Sequence, residues 1–252
     1  MTLILAIASK DGLVLASDSQ ATFSTSGQEV KGPTEKLYCP WTNVAWGASG
    51  HGGVIQHVEE ALRQGLMPAT RFEKHDRARV RKALADAVAG AIRPLLTSRM
   101  LNLPGVTPPH TGYLFTGYAT DGPFLLEVGA DLLDQEHLRA GQGYAAIGSG
   151  DIFPYFALAS LAHFRVGERH LAEAKLVAYR VIEDAISVAA RGLGPPVQMV
   201  EVKQGQGPGA PARARKLPPD EIKILQDQVL GWKQLESETL DRFVGLQDPS
   251  AT

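Results

Sequence analysis

Hydrophobic positions in the first fifty residues indicate strands that are buried on both faces. Segments 2–8 and 13–17 are almost wholly Leu, Ile, Val and Ala, and a Lys-Asp-Gly turn at 10–12 lies between them. A second strand pair is predicted at 34–39 and 43–48. Runs without an alternating polar face are typical of strands that are covered on both sides. We therefore expect further layers above and below this sheet.

The rest of the chain alternates between pairs of helices and groups of strands. Apolar residues at helical spacing predict helices at 54–63, 76–102, 153–164 and 170–190. Further strands are predicted at 111–118, 124–128, 144–147 and 197–202. This order differs from the strand-helix alternation of a doubly wound sheet. It favours an α+β fold, a four-layer αββα sandwich in which helix pairs cover two stacked antiparallel sheets.

The end of the chain has a different composition. Residues 204–219 are rich in Gly, Pro and Ala, which predicts a linker, and 219–246 has the apolar spacing of an amphipathic helix. We therefore divide the chain into a domain at 1–203 and a linker with a helical tail at 204–252. The tail helix is expected to pack on a neighbouring subunit or on its own domain, with docking of a separate partner as the alternative.

Composition narrows the possible partners. The chain has 252 residues, of which 44% are hydrophobic and 21% charged, with a net charge of −2. A nearly neutral chain has no overall field that favours nucleic acid or an anionic membrane, so neither is expected. The first apolar run is too short for a signal peptide, and none is long enough to span a bilayer, so we expect a cytoplasmic protein. The single cysteine, Cys39, excludes an internal disulfide.

Candidate chemistry begins at the second residue. Removal of Met1 would leave Thr2 with a free α-amine, whose pKa is about 7.7–8.0. Such an amine can act as the base for the hydroxyl of the same threonine. The Met-Thr dipeptide alone is a weak signal, because many proteins begin in this way.

Four other positions could support a threonine nucleophile. Asp18 ends an apolar strand and Lys36 lies at the edge of another, so an ion pair between them could place a positive charge near the hydroxyl. Gly47 could offer a backbone N–H to an oxyanion, and Ser149 could bind the amine. Taken singly, Asp18 and Lys36 are better explained as a turn cap and a solvated lysine, and Gly47 and Ser149 have the alternatives of a glycine turn and a helix N-cap.

The order of these residues resembles the proteasome β-subunit superfamily of N-terminal nucleophile hydrolases. Asp18 follows Thr2 by 16 positions, which matches the spacing in that family. The segments Asp-Ser-Gln-Ala-Thr at 18–22, Val-Lys-Gly at 30–32 and Ala-Ile-Gly-Ser-Gly at 146–150 look most like bacterial HslV-type peptidases. Anbu and the betaproteobacterial proteasome homologue are alternative placements. The resemblance covers about residues 2–202.

The resemblance implies a role for each matching residue. Thr2 would be the nucleophile with its own amine as base, while Lys36 lowers the hydroxyl pKa and Asp18 orients Lys36. Gly47 would supply the oxyanion hole and Ser149 would support the amine.

Substrate contacts follow in the same way. Thr22 and Ser49 would bind the substrate main chain as an added strand, and Ala45 would shape the side-chain pocket. No metal and no cofactor is required by such a site.

The implied function is that of a self-compartmentalising threonine endopeptidase that cuts polypeptides inside stacked rings or a related homo-oligomer. An ATP-dependent unfoldase is the expected partner, and it must be another chain because no GxxxxGK[ST] motif is present. Two alternatives stay open. One is a narrower amidase or transpeptidase that uses Thr2, and the other is a catalytically silent ring or scaffold that keeps Met1.

Four departures accompany the resemblance. The loop before Lys36 is about two residues longer than in HslV-type chains, and the stretch from Lys36 to Gly47 is shorter than usual. The Asp and Ser that proteasomal β-subunits carry near the end of the last long helix pair are absent from 190–196, as they are from HslV-type enzymes. The chain after Val202 has no HslV counterpart.

Overall fold

The computed structural model describes residues 2–25, 28–65, 72–95, 97, 110–138, 142–188, 192–205 and 210–244. The strands in chain order are β1 (Ile4–Ala8), β2 (Gly12–Ser17), β3 (Gln20–Thr25), β4 (Gln28–Pro33), β5 (Leu37–Tyr38), β6 (Val44–Gly50), β7 (Thr111–Ala119), β8 (Gly122–Val128), β9 (Asp134–Glu136), β10 (Tyr144–Ile147), β11 (Gln198–Lys203) and β12 (Arg213–Lys216). The α-helices are α1 (Gly52–Gly65), α2 (Arg77–Leu95), α3 (Ile152–Ser160), α4 (Leu171–Val188) and α5 (Pro219–Phe243). Short 3-10 turns connect some of them.

The strands form two five-stranded sheets and a separate hairpin. The first sheet has the order β10-β1-β2-β11-β12, and the second has the order β5-β6-β7-β8-β9. Strands β3 and β4 pair only with each other. Every ladder is antiparallel, as the sequence predicted. The first hairpin closes where the Ser9 N–H donates to the Gly12 carbonyl at 2.8 Å.

Three hydrophobic clusters fill the spaces between four layers. The middle cluster lies between the two sheets and includes Ile4, Leu15, Leu114 and Val200, each fully buried. A second cluster joins the first sheet to α3, α4 and α5, and a third joins the second sheet to α1 and α2. Strands β1 and β2 therefore contribute side chains to two clusters each, which explains why they lack a polar face. The α+β fold with a four-layer αββα sandwich is confirmed.

The strand prediction needs correction in three places, and the first is β9, a short strand that was not predicted. Strands β3 and β4 form a hairpin that the hydrophobic pattern did not predict, because its residues are mainly polar and small. Segment 204–219, predicted as a linker, contains the edge strand β12, which pairs with β11 from Val200↔Lys216 to Lys203↔Arg213. The predicted helix at 76–102 is α2 as far as Leu95, and 98–102 lies outside the described residues.

The C-terminal helix belongs to the same body as the first 203 residues. Leu225 and Val229 of α5 are 7% and 0% exposed, and they pack in the cluster that contains α4. Arg180 of α4 forms a bidentate ion pair with Glu236 of α5, with both hydrogen bonds at 2.7 Å. Its Cζ lies 4.1 Å from the centre of the Trp232 ring. Part of the predicted tail at 204–252 therefore packs on the domain at 1–203.

None of the helices in the described ranges combines the length and the apolar character that crossing a membrane requires.

Candidate active site

Thr2 is fixed by its backbone to the loop after β10. Its N–H donates to Ser149 Oγ at 3.2 Å, and its carbonyl accepts the Gly150 N–H at 3.2 Å. Gly148 has a φ of 109°, and a Cβ there would lie 2.2 Å from the Thr2 carbonyl oxygen. Only glycine allows this approach, because other residues disfavour that φ and add an atom where the threonine lies. The Gly-Ser-Gly segment at 148–150 therefore fixes the position of Thr2.

Asp18 binds both the backbone next to Thr2 and the side chain of Lys36. Its side chain is fully buried, and Oδ1 accepts the Leu3 N–H at 3.0 Å and Lys36 Nζ at 2.7 Å. Oδ2 accepts the N–H groups of Gln20 at 3.0 Å and Gly194 at 3.3 Å. A buried carboxylate is tolerated only with such compensation.

Lys36 is the cation of the site. Its side chain is 5% exposed. Burial lowers the pKa of its ammonium below the usual value for lysine, and the charge of Asp18 and its hydrogen bond oppose this shift without cancelling it. The lysine is therefore easier to deprotonate than an exposed one, and its charge depends on Asp18.

A cavity of about 600 Å³ brings most of the predicted site residues together. Thr2, Lys36 and Ser149 line it on one side, and the two predicted main-chain contacts, Thr22 and Ser49, line it as well. Thr22 is exposed, whereas Ser49 is buried at the edge of the cavity. The remaining lining residues are Ala21, Thr34, Glu35, Tyr38, Ala48, Gly50, Gly52, Ile55, Gln56, His110 and Gly148.

Three predicted site residues do not line this cavity: Asp18, which is connected to it through Lys36, and Gly47 and Ala45. Gly47 lies inside the second sheet, paired with Leu37 on one side and Leu114 on the other, and a Cβ there would meet the Leu37 side chain at 2.9 Å. Ala45 is fully buried in the cluster between the sheets. Neither Gly47 nor Ala45 lines the cavity, to which β6 contributes Ala48, Ser49 and Gly50.

The residues that sequence reasoning missed are Gly50 and Ala48 at the end of β6. Both line the cavity. Gly50 has a φ of 118°, and a Cβ there would lie 2.1 Å from the His110 carbonyl oxygen. The signal in the sequence was the continuation of small residues as far as Gly50, and Gly47 was only the first glycine of that stretch. If the segment after Lys36 is counted to Gly50 instead of Gly47, it is three residues longer. This reduces its shortfall relative to HslV-type chains.

The fold agrees with the comparison to known families. Residues 2–192 match the family described as Proteasome subunit. The chain belongs to the proteasome subunit family. No curated protein matches it.

Solved structures of Anbu proteins resemble this proteasome-family chain over nearly its whole length. A Gly-1 mutant of Anbu from Hyphomicrobium sp. strain MC1 has 16% identity and a TM-score of 0.70, covering 96% of this chain and 97% of that chain. Anbu from Pseudomonas aeruginosa, described as a helical assembly, has 17% identity and a TM-score of 0.69, covering 99% and 98%. Anbu (ancestral beta-subunit) from Yersinia bercovieri has 15% identity and a TM-score of 0.68, covering 99% of both chains.

These likenesses concern the fold, since the identities are low. They include the C-terminal part of the chain, because matches over 99% of the chain extend beyond residue 203. Anbu is one of the alternatives that the sequence left open. The narrower HslV-type likeness stays a prediction.

The loop after α4 contacts the site through its backbone. The sequence of this proteasome-family chain lacks the helix-end Asp and Ser, and 189–191 lie outside the described residues. Gly194 donates its N–H to Asp18 and accepts the Ser19 N–H on its carbonyl at 2.9 Å. A Cβ at Gly194 would lie 2.2 Å from Gln20 Oε1. Backbone groups of this loop therefore bind Asp18 and Ser19, in the region where the helix-end Asp and Ser are absent.

Proposed function

We propose that the chain is a threonine-type endopeptidase that attacks peptide bonds with the hydroxyl of Thr2 after Met1 has been removed. The observation that carries this proposal is the convergence of Thr2, the buried Lys36–Asp18 pair and Ser149 on one cavity. These groups come from four separate parts of the chain, and the fold holds each one by hydrogen bonds.

The proposed reaction proceeds through an acyl-enzyme. In the processed chain the Thr2 nitrogen, which faces Ser149 Oγ, is an amine, and it takes the proton of the Thr2 hydroxyl. The positive charge of Lys36 favours the alkoxide as it forms. The oxygen attacks the substrate carbonyl, the C–N bond breaks, and the leaving amine receives the proton. Water then hydrolyses the ester by the same route and restores Thr2.

We place the oxyanion contact at Gly50 rather than at Gly47. Strand β5 covers β6 only at Trp46 and Gly47, so the edge of β6 on that side is unpaired from Ala48 to Gly50. Backbone N–H groups of this edge adjoin the cavity, where a developing negative charge would need them.

Polypeptide in an extended conformation suits this cavity. The unpaired edge of β6 and Thr22 of β3 both line this cavity, so a substrate strand can bind along them through its main chain. Because main-chain contacts are independent of side chains, this mode favours a peptidase over a narrow amidase or transpeptidase.

We further propose that the protein acts as a homo-oligomer. Anbu from Pseudomonas aeruginosa is described as a helical assembly. The end of α5 continues its packed face into Leu240 and Phe243, which are 61% and 84% exposed. An exposed apolar stripe of this kind fits a second copy of the chain. Degradation of folded proteins would require an unfoldase supplied by another chain.

Changing those exposed side chains tests the assembly better than deleting the tail, because deletion would also remove Leu225 and Val229 from the core. Leu240→Ser with Phe243→Ser should lower the particle mass and leave the fold intact. An unchanged particle mass would exclude α5 from the assembly contact.

Peptidase activity on a mixed peptide library tests the proposed reaction. Thr2→Ala should abolish cleavage, and Thr2→Ser should retain part of it because serine keeps the hydroxyl. Thr120→Ala, in the exposed turn after β7, is the matched control and should match the wild type. Cleavage that survives Thr2→Ala would contradict the proposal. A wild type that cleaves nothing would favour the silent scaffold, and cleavage of one narrow class would favour the amidase or transpeptidase.

A further inference from the structure

Gln198, at the start of β11, joins the two segments that carry the ion pair. Its Nε2 donates to the Thr34 carbonyl at 2.6 Å and to Ser19 Oγ at 2.8 Å, and its Oε1 accepts the Lys36 N–H at 3.1 Å. Ser19 directly follows Asp18. A single side chain therefore contacts the neighbour of the carboxylate and the backbone of the lysine.

Residues 34–36, which include two of the three residues that bind Gln198, lie outside the strand ladders. Strand β4 ends at Pro33 and β5 begins at Leu37, and the Thr34 N–H donates to the Ser19 carbonyl at 2.7 Å. A primary amide presents one acceptor and two donors. It can bond the carbonyl of Thr34 and the N–H of Lys36, two residues further on, as a peptide group of a neighbouring strand would. The two partners fix which end of the amide is Oε1 and which is Nε2, because the Lys36 N–H requires an acceptor and the Thr34 carbonyl requires a donor.

We propose that Gln198 is the positioning residue for Lys36, in that its amide replaces the missing strand and holds the lysine against Asp18. The proposal rests on the proposed function for its catalytic meaning. Gln198 lines a groove on the other side of 34–35 and is absent from the lining of the catalytic cavity. It acts through Lys36 and does not contact substrate.

The first test replaces the amide by an apolar side chain of similar size. Gln198→Leu removes every hydrogen bond of the side chain, so Lys36 should lose its fixed position, and kcat should fall by about tenfold or more. KM should stay within about twofold, since no cavity contact is lost. Gln135→Leu, in the exposed part of β9, is the matched control and should leave both constants unchanged. A kcat equal to that of the wild type would overturn the proposal.

A second variant gives a readout that general destabilisation would not change. Gln198→Glu keeps the shape, and its ionised carboxylate can accept the Lys36 N–H but cannot donate to the Thr34 carbonyl. Protonation restores one donor, so the ratio of its kcat to that of the wild type should rise as the pH is lowered. The same ratio for Gln198→Leu should not change with pH. A flat ratio for Gln198→Glu would contradict a role of the amide as donor and acceptor.

The reactivity of the Lys36 amine separates this inference from the proposed function. Reductive methylation followed by peptide mapping measures it without any catalysis. Lys36 should react faster in Gln198→Leu than in the wild type, while the paired Lys175, which lies 2.7 Å from Glu201, should react at an unchanged rate. This result would support the positioning role even in a chain that cleaves no peptide. An unchanged rate at Lys36 would exclude it.

Discussion

Lys36 Nζ lies 2.7 Å from Asp18 Oδ1, in a pair whose side chains are 5% and 0% exposed. The same carboxylate oxygen accepts the N–H of Leu3, the residue after Thr2. Asp18 therefore sets the position of the lysine relative to the start of the chain. This is the relationship on which the proposed chemistry depends, since the positive charge must lie near Thr2 and nowhere else.

The pair should be sensitive to the loss of one partner. Asp18→Asn keeps the size of the side chain but leaves a buried ammonium without its anion, which should lower the free energy of unfolding by about 3–5 kcal/mol. Adding Lys36→Met to this variant removes the unpaired charge and should restore much of the stability, although activity should remain absent. Urea unfolding and a peptidase assay measure the two effects. Stability that stays low in the double variant would show that the charge is not the cause.

Substitution of Gly148 tests whether this residue fixes the position of Thr2. Gly148→Ala puts a methyl group 2.2 Å from the Thr2 carbonyl oxygen, so Thr2 must move and peptidase activity should fall at least tenfold. Gly122 is the control, because its φ of 128° is equally unfavourable for alanine while no atom lies within 4 Å of the added Cβ. Gly122→Ala should cost about 1–3 kcal/mol of stability and leave activity unchanged. Equal activity losses in the two variants would refute a specific contact with Thr2.

The two glycines of β6 should respond differently to alanine. Gly47→Ala crowds Leu37 and Ile4 inside the sandwich, and it should lower the free energy of unfolding by about 1–3 kcal/mol. Gly50→Ala collides with the His110 carbonyl at the cavity, so it should reduce kcat much more strongly than Gly47→Ala does. Steady-state kinetics on both folded variants decides the question. A larger kcat loss in Gly47→Ala would return the oxyanion role to Gly47.

His137 should make stability depend on pH. It lies 2.9 Å from Glu127 through Nε2 and 2.9 Å from Gln142 through Nδ1. Burial opposes its positive charge, but the hydrogen bonds with Glu127 and Gln142 and the charge of Glu127 outweigh burial, so the pKa of His137 is raised above 6.5. Because the folded state binds this proton more tightly, the stabilisation is complete below the unfolded pKa and is lost as the pH rises through the folded one.

Glu127→Gln tests this sign directly. The stability difference between wild type and variant should be largest below about pH 6.5 and should shrink as the pH rises above that value. Urea unfolding across this pH range measures the difference. A difference that grows toward alkaline pH would contradict the assigned partner.

The hydrophobic pattern was sufficient for the layers but not for every strand. The apolar runs of β1 and β2 predicted covering on both faces, and both strands contribute to two clusters. Strand β12 has the sequence Arg-Ala-Arg-Lys, which indicates no strand by propensity. It is stable because it lies at the edge of the first sheet, where charged side chains remain exposed and discourage further pairing.

The candidate site, too, could be predicted from the sequence only in part. Side chains with a chemical signature, such as Asp18 and Lys36, could be found because buried charges need partners. Gly50 could not be separated from Gly47, since the sequence does not reveal how far β5 covers β6. The N–H of Gly194 left no signal, because a backbone donor is the same at every non-proline residue.

The most direct test of the central claim is the intact mass of the purified chain before and after reaction with a peptide electrophile. We expect a chain lighter by Met1 that gains one adduct, mapped to Thr2, while Thr2→Ala gains none. A chain that retains Met1, or that takes the adduct at another residue, would contradict a Thr2 nucleophile.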